Sequence, residues 1–288
     1  MKKTESPFEL IRLQDIIVNK KYLPLLEENH VTSFSSLMNY AGGQIVKKLI
    51  PERFIITFTL KSANTTLGFF LKRYYPSPAK NILQSLLAFV SPYSALREWN
   101  TIISFHRANL PTVIPVAAGT RRKGFLGRVS FLLTQGLEGV TRLEDLIPER
   151  FLPPLSPESI SEKRILISKL AFLTRKMHDL GFNHRDFYLC HILARQGTDT
   201  SWELFICDLH RVDKRENVGM RWQVKDIAAL NYSAPEKFIS VRDRIRFLKQ
   251  YLGKTRLDCE ARVWIGKVIK KTEKMKRHNT RRKAADQL

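Results

Sequence analysis

Two periodicities divide the chain. In its first half, apolar residues come in short runs broken by turn-like residues: "QIVKKL" (44–49), "RFIITFTL" (53–60) and "TLGFFLKRYY" (66–75). β-Branched and aromatic residues dominate these runs, which predicts strands. A helix is expected near 94–107 ("SALREWNTIISFH"), followed by strands at 113–118 and 128–135. After Pro157 the period lengthens. Leu166, Leu170, Leu173, Met177 and Leu180 fall at alternating spacings of four and three, one apolar stripe of a long helix. Ser156 or Ser159 can cap its start and Gly181 can stop it. The expected class is therefore α+β: a strand-rich part with one helix, then a mostly helical part. The divisions expected are an N-terminal extension (1–30), a first lobe (31–134) and a second (135–288).

At 288 residues and 43% hydrophobic, the chain can bury a sizeable core. Its formal net charge of +22 predicts a polyanionic partner: nucleic acid, an anionic membrane face or a phosphorylated substrate. Three cysteines, with no CxxC pair, fit a reducing compartment better than a disulfide framework. The opening "MKKTESPFEL" lacks the apolar stretch of a signal peptide. The longest apolar candidate, "ILQSLLAFV" (82–90), is far short of the ~20 residues that cross a bilayer. Any membrane contact is thus expected to be peripheral. The basic segments "TRRKGFLGR" (120–128) and "KKTEKMKRHNTRRKAADQ" read most simply as a hairpin tip and a solvated tail.

Chemistry concentrates in "GFNHRDFYLCHIL" (181–193), just past the long helix, and in Asp208, which ends the short apolar strand Leu204–Cys207. Asp186 and Asp208 are two carboxylates at the ends of a loop–strand–strand unit. One carboxylate can orient a hydroxyl nucleophile and accept its proton, and a second can hold Mg²⁺ against phosphate oxygens.

Four elements in order resemble the protein-kinase-like fold: "FFLK" with Lys72, "LREW" with Glu98, "MHDLGFNHRD" with Asp186, and "ICDLH" with Asp208. "GFNHRDFYLCHIL", "DLHR", "LREWN" and "RWQVKDIAALNYS" further resemble the lipopolysaccharide kinase (Kdo/WaaP) family, with its core heptose kinases. The resemblance runs from about Gly42 to about Gly253. It implies a bilobal fold, ATP and Mg²⁺ as cofactors, and phosphoryl transfer to a core sugar at the cytoplasmic face of the inner membrane. The implied partners are the core glycolipid and the anionic membrane surface. No zinc pattern or RNP motif favours nucleic acid.

Residue by residue, the resemblance implies that Lys72 holds the α/β-phosphates and pairs with Glu98. Asp186 orients the acceptor hydroxyl, with Arg185 beside it in the loop. Asp208 holds Mg²⁺, and His191 stands where protein kinases carry a metal-binding asparagine. Asp226 is expected to brace the loop. The glycine-rich loop is missing: Gly43, with Lys47, Lys48 or Arg53, is the substitute candidate for covering phosphates. His184 reads as structural, and His106, His178 and His278 as ordinary helix or surface residues. His210 and Arg211 are candidates for anionic substrate, with a surface role nearly as good. Ala234-Pro235-Glu236 spells a kinase motif by coincidence. Two alternatives stay open: a kinase-fold enzyme with a protein, small-molecule or RNA acceptor, and a non-catalytic basic binding protein.

Overall fold

A computed structural model of the chain describes residues 7–50, 53–63, 65–75, 95–123, 127–197 and 201–285; for 47–50 and 282–285 it describes the backbone path. The 82–90 stretch and the tip of the 120–128 segment lie outside the described residues. The chain divides into two units. The first comprises Met1–Glu138 with Asp208–Arg211, the second Gly139–Cys207 with Val212–Leu288.

The first unit is built on a seven-stranded antiparallel sheet. Its strands are β1 (Leu10–Leu13), β2 (Ile16–Asn19), β3 (Gln44–Ile50), β4 (Arg53–Ser62), β5 (Thr65–Tyr74), β6 (Ile114–Lys123) and β7 (Gly127–Gln135), in the order β1-β2-β6-β7-β5-β4-β3. Between β2 and β3 run two short helices, α1 (Leu23–Glu28) and α2 (Phe34–Met38); α3 (Ala95–Arg107) follows β5. Within the stretch expected as an extension, β1 and β2 belong to this sheet: β2 pairs with β6, and Ile16, Val18, Tyr22 and Leu26 are buried in the core against it.

Side chains alternate across a strand, so each strand serves two faces. Ile56, Phe58 and Leu60 of β4 and Phe69 and Leu71 of β5 enter one core with Phe34 and Leu37 of α2 and Phe131 of β7. The intervening Lys72 and Tyr74 go to the other face, where both meet Glu98 of α3. α3 buries Trp99, Ile102, Ile103 and Phe105. The 94–107 expectation is thus met by a helix at Ala95–Arg107.

In the second unit, β8 (Thr141–Arg142), β10 (Ile192–Gln196) and β11 (Trp202–Ile206) form one small sheet, and β9 (Phe182–Asn183) pairs with β12 (Asp213–Lys214). Its helices are α4 (Leu143–Arg150), α5 (Pro157–Asp179), α6 (Met220–Ser233), α7 (Val241–Leu252) and α8 (Cys259–Ala285). Ala171, Ile227, Leu248, Tyr251, Trp264 and Val268 join α5, α6, α7 and α8 in one core.

The long helix starts as expected. The Ser156 hydroxyl accepts from the Ser159 amide at 3.2 Å, satisfying one of the free first-turn donors. It stops because Gly181 takes φ +83°, and a Cβ there would lie 2.1 Å from the Arg215 carbonyl oxygen, so only glycine fits. Leu180, assigned to the apolar stripe, is instead 39% exposed, because it caps the helix beyond its last buried turn.

The basic C-terminal run is no frayed tail within its described part. It continues α8, where the buried Thr272 accepts from Asn231 of α6 at 3.0 Å and Asn279 donates to the Tyr232 hydroxyl at 2.6 Å. Lys270, Lys274, Lys276, Arg277 and Arg281 take the outward face. Ala234-Pro235-Glu236 simply ends α6, with Glu236 exposed and paired to Lys276.

Candidate active site

In the first unit, opposite charges converge on one lysine. The Lys72 ammonium sits 2.6 Å from Glu98 Oε1 and 2.9 Å from Asp208 Oδ1. Strand period places Lys72 there. Glu98 arrives from the first turn of α3, where the helix dipole also favours a carboxylate. Asp208 arrives on a residue in the left-handed region (φ +59°), from which the chain enters a 3-10 turn at Leu209–Arg211.

Glu98 is 1% exposed, so its charge needs compensation on both oxygens. Lys72 holds one, and the Tyr74 hydroxyl donates to the other at 2.9 Å. Asp208 Oδ1 takes two more donors besides Lys72: Arg53 at 2.8 Å and His210 Nδ1 at 2.9 Å. The Arg53 guanidinium also lies over the Tyr74 ring, 5.4 Å from its centroid, which β4–β5 register explains because Arg53 is directly opposite Tyr74.

The protonation preferences follow. Burial pushes the Asp208 carboxyl up, but Lys72, His210 and Arg53 outweigh it and hold the group well below the usual carboxylate range. Burial pulls the Lys72 ammonium down, and Asp208 and Glu98 more than reverse this. Burial and then the neighbouring Glu98 push the Tyr74 phenol up, so it stays a hydrogen-bond donor.

The second unit holds the His184-Arg185-Asp186 loop by a different device. Asp226 of α6, fully buried, accepts the backbone amides of His184 and Arg185 on its two oxygens, each at 2.7 Å. Further pins follow along the loop. His184 Nε2 donates to the Cys207 carbonyl at 3.0 Å, the Leu189 amide donates to Ser233 Oγ at 3.0 Å, and Phe187 is buried. His191 Nδ1 donates to the backbone carbonyl of Asp186 itself at 2.7 Å. Arg185 adopts φ +72° and points its guanidinium to Asp213 at 3.1 Å. The loop backbone is thus fixed on both sides of Asp186, whose side chain is half-buried.

The structure sorts the expected site residues. Lys72, Glu98 and Asp208 meet in one cluster, joined by Arg53 and His210. Asp186, Arg185 and His191 share one pinned loop. Gly43 lies against β4, where a Cβ would stand 3.0 Å from the Thr57 carbonyl oxygen. Lys47 lies on β3 opposite Ile55, with its side chain outside the described residues.

Three contributors were not legible as such. His178, expected to be an ordinary helix residue, is 2% exposed. Its Nε2 donates to Asp226 at 3.3 Å while its Nδ1 accepts from the Tyr251 hydroxyl at 2.8 Å. Its partners lie 48 and 73 positions away, so no local pattern marks it. Asp213, the partner of Arg185, is equally hidden. Tyr74 could have been found, since it lies two residues beyond Lys72 and so shares its strand face.

As to metals, no group of three or more His, Cys, Asp or Glu side chains is gathered among the described residues. Asp208 has the character Mg²⁺ needs, an oxygen donor held ionised among cations. Nor is any described helix long and apolar enough to cross a membrane.

The fold is α+β, of the protein-kinase-like class. The sequence profile described as the lipopolysaccharide kinase (Kdo/WaaP) family matches residues 58–251. The chain belongs to that family. It is 32% identical over 216 residues to the lipopolysaccharide core heptose(I) kinase WaaP of Escherichia coli (strain K12), covering 74% of this chain and 78% of that protein. To the heptose(I) kinase WaaP of Pseudomonas aeruginosa it is 34% identical over 217 residues, covering 73% and 76%. A solved structure titled "WaaP in complex with acyl carrier protein" superposes with a TM-score of 0.67 at 26% identity, over 92% of this chain and 99% of that one.

Proposed function

We propose that this protein is a lipopolysaccharide core heptose kinase, transferring the γ-phosphoryl group of ATP to a hydroxyl of an inner-core heptose. The observation that carries the reading is the Lys72–Glu98–Asp208 cluster in a chain about one third identical to heptose(I) kinases.

Phosphoryl transfer asks the protein mainly to position groups and to neutralise charge. Lys72, held ionised and aimed by Glu98, is the cation for the α/β-phosphates. Asp208 is the carboxylate that would hold Mg²⁺, which when bound offsets phosphate charge. Arg53, which neutralises Asp208, supplies a second cation at the same cluster. Asp186 orients the acceptor hydroxyl and takes its proton as the new O–P bond forms and ADP departs. Arg185 is a positioning residue, since its guanidinium is spent on Asp213. His191 is likewise read as a brace. Its Nδ1 serves the Asp186 carbonyl, and Mg²⁺ prefers oxygen ligands. Gly43 and Lys47 keep the role of covering phosphates as a proposal.

The proposed site of action is the cytoplasmic face of the inner membrane, reached through the charge of +22. The acyl carrier protein bound to the structural neighbour enters as a proposed partner too. The second unit contains an apolar cavity of about 520 Å³ among α4 to α8, lined by residues such as Leu143, Phe151, Leu166, Leu230, Phe247 and Ile265, with the chemistry to take an acyl chain.

Incubation of the purified protein with γ-labelled ATP, Mg²⁺ and unphosphorylated core oligosaccharide tests the reading. Label should appear on a heptose. Transfer to protein or RNA acceptors, with none to the oligosaccharide, would replace it with another acceptor class.

A further inference from the structure

Trp222 lies in the first turn of α6, four residues before the bracing Asp226, and no step above uses it. Four cations surround its ring. The Arg215 guanidinium is 4.8 Å from the ring centroid, Arg221 5.3 Å, the Lys225 ammonium 5.6 Å and Arg185 5.8 Å. One energetically significant cation–π pair is expected in roughly 70–80 residues, so four on a single indole is a built cluster. An aromatic ring organises guanidinium groups without neutralising them, whereas a carboxylate would cancel their charge. Asp213 pairs with Arg185 at 3.1 Å and Arg215 at 3.5 Å. Arg185 Nε is buried with no hydrogen-bond partner among the described residues. Arg221 stands in the first turn of α6, where the helix dipole disfavours a cation, so the arrangement works against stability.

We propose that Trp222, Arg215, Arg221 and Lys225 form a docking platform for an oxyanion-bearing saccharide, through its phosphate or carboxylate groups. The platform rests on the heptose-kinase reading and deepens it. It is tied to the chemistry through Arg185, whose guanidinium lies over the Trp222 ring and whose backbone precedes Asp186. Guanidinium groups bind such oxyanions in paired hydrogen bonds, and a ring that fixes their planes reduces the ordering cost on binding.

The test is calorimetric binding of deacylated core oligosaccharide, its phosphates and carboxylates intact, to the full-length chain. Wild type is compared with Arg221→Gln/Lys225→Gln, with the charge-keeping Arg221→Lys/Lys225→Arg, and with Lys270→Gln/Lys274→Gln. The last pair sits on the exposed face of α8 and removes the same charge elsewhere. The platform predicts about tenfold or greater weakening for the first variant, recovery of most affinity in the second, and less than about twofold change in the third. Oligosaccharide stripped of phosphate and oligosaccharide reduced at its carboxyls identify which oxyanion is read. No wild-type binding, equal weakening by the α8 variant, undiminished binding of the doubly treated sugar, or preference for single-stranded RNA would each overturn it. Phosphoryl transfer with an unchanged acceptor KM in Arg221→Gln/Lys225→Gln would overturn the platform while leaving the kinase reading intact. Selective loss of binding without any turnover in wild type would uphold the platform and count against the kinase reading.

Discussion

The two units hold their candidate site residues by opposite means. In the first, Lys72, Glu98, Asp208 and Arg53 are side-chain charges balanced against one another, so each contact can be exchanged for one to a ligand. In the second, the His184–Asp186 loop is fixed through its backbone, by Asp226 on two amides and His191 on a carbonyl. Backbone pins set the path of the chain on both sides of Asp186 without drawing on its carboxylate. Charge exchange suits a polyphosphate that comes and goes, and a rigid loop suits a proton acceptor that must stay in register with a hydroxyl.

The largest effect expected from this contrast is at Asp186. Asp186→Ala should lower kcat by about 10²-fold or more while leaving nucleotide affinity near wild type, within the usual range for a general base. Steady-state kinetics with nucleotide titration checks this, and near-normal turnover would remove Asp186 from the mechanism.

Next is the brace. Asp226→Ala removes the charge-assisted hydrogen bonds from the His184 and Arg185 amides, each worth about 1.5–3 kcal/mol, and the longer one from His178 Nε2, leaving their donors unpaired. Urea unfolding should show a loss of several kcal/mol. The charge cluster should behave otherwise. Lys72→Met alone strands a buried carboxylate and destabilises, but Lys72→Met/Glu98→Leu should regain most of the stability and none of the nucleotide affinity, because buried ion pairs are replaceable by apolar packing. If the double variant bound nucleotide normally, the cluster would be structural only.

Tyr251→Phe tests how far the brace extends. It removes the donor to His178 Nδ1, with an expected cost of about 1–2 kcal/mol and a smaller fall in kcat than Asp226→Ala. The smallest effect concerns acid. The Asp208 carboxyl is depressed in the folded state, so its contribution to stability is complete above its unfolded value of about 4 and is lost as pH falls through the lower folded value. Asp208→Asn removes that contribution, so the melting temperatures of variant and wild type should draw together as pH falls below about 4. A constant gap would show that Asp208 contributes no proton-linked stability.

Much of this was legible in the sequence, and the limits have physical causes. Strand runs and the long helix with its Ser156 cap and Gly181 stop follow from local period and element order, and the Lys72–Glu98 pairing was implied by the kinase resemblance. The brace by Asp226 also followed, through the family resemblance. What stayed hidden depends on distant partners: His178, whose burial is set by Tyr251 and Asp226, and Asp213, which meets Arg185 only because β9 pairs with β12. Composition misled at the C-terminus. A run of cations looked like a solvated tail, whereas Thr272 and Asn279, set among those cations, anchor a helix through its other face.

The central claim is phosphoryl transfer to a core heptose, and mass spectrometry of the acceptor tests it most directly. Unphosphorylated core oligosaccharide would be incubated with ATP, Mg²⁺ and either wild type or Asp186→Ala, and each product fragmented to locate any added phosphate. The account predicts one added phosphate on a heptose with wild type and almost none with the variant. An unmodified oligosaccharide from a wild-type protein that binds ATP, or equal phosphorylation by Asp186→Ala, would contradict it.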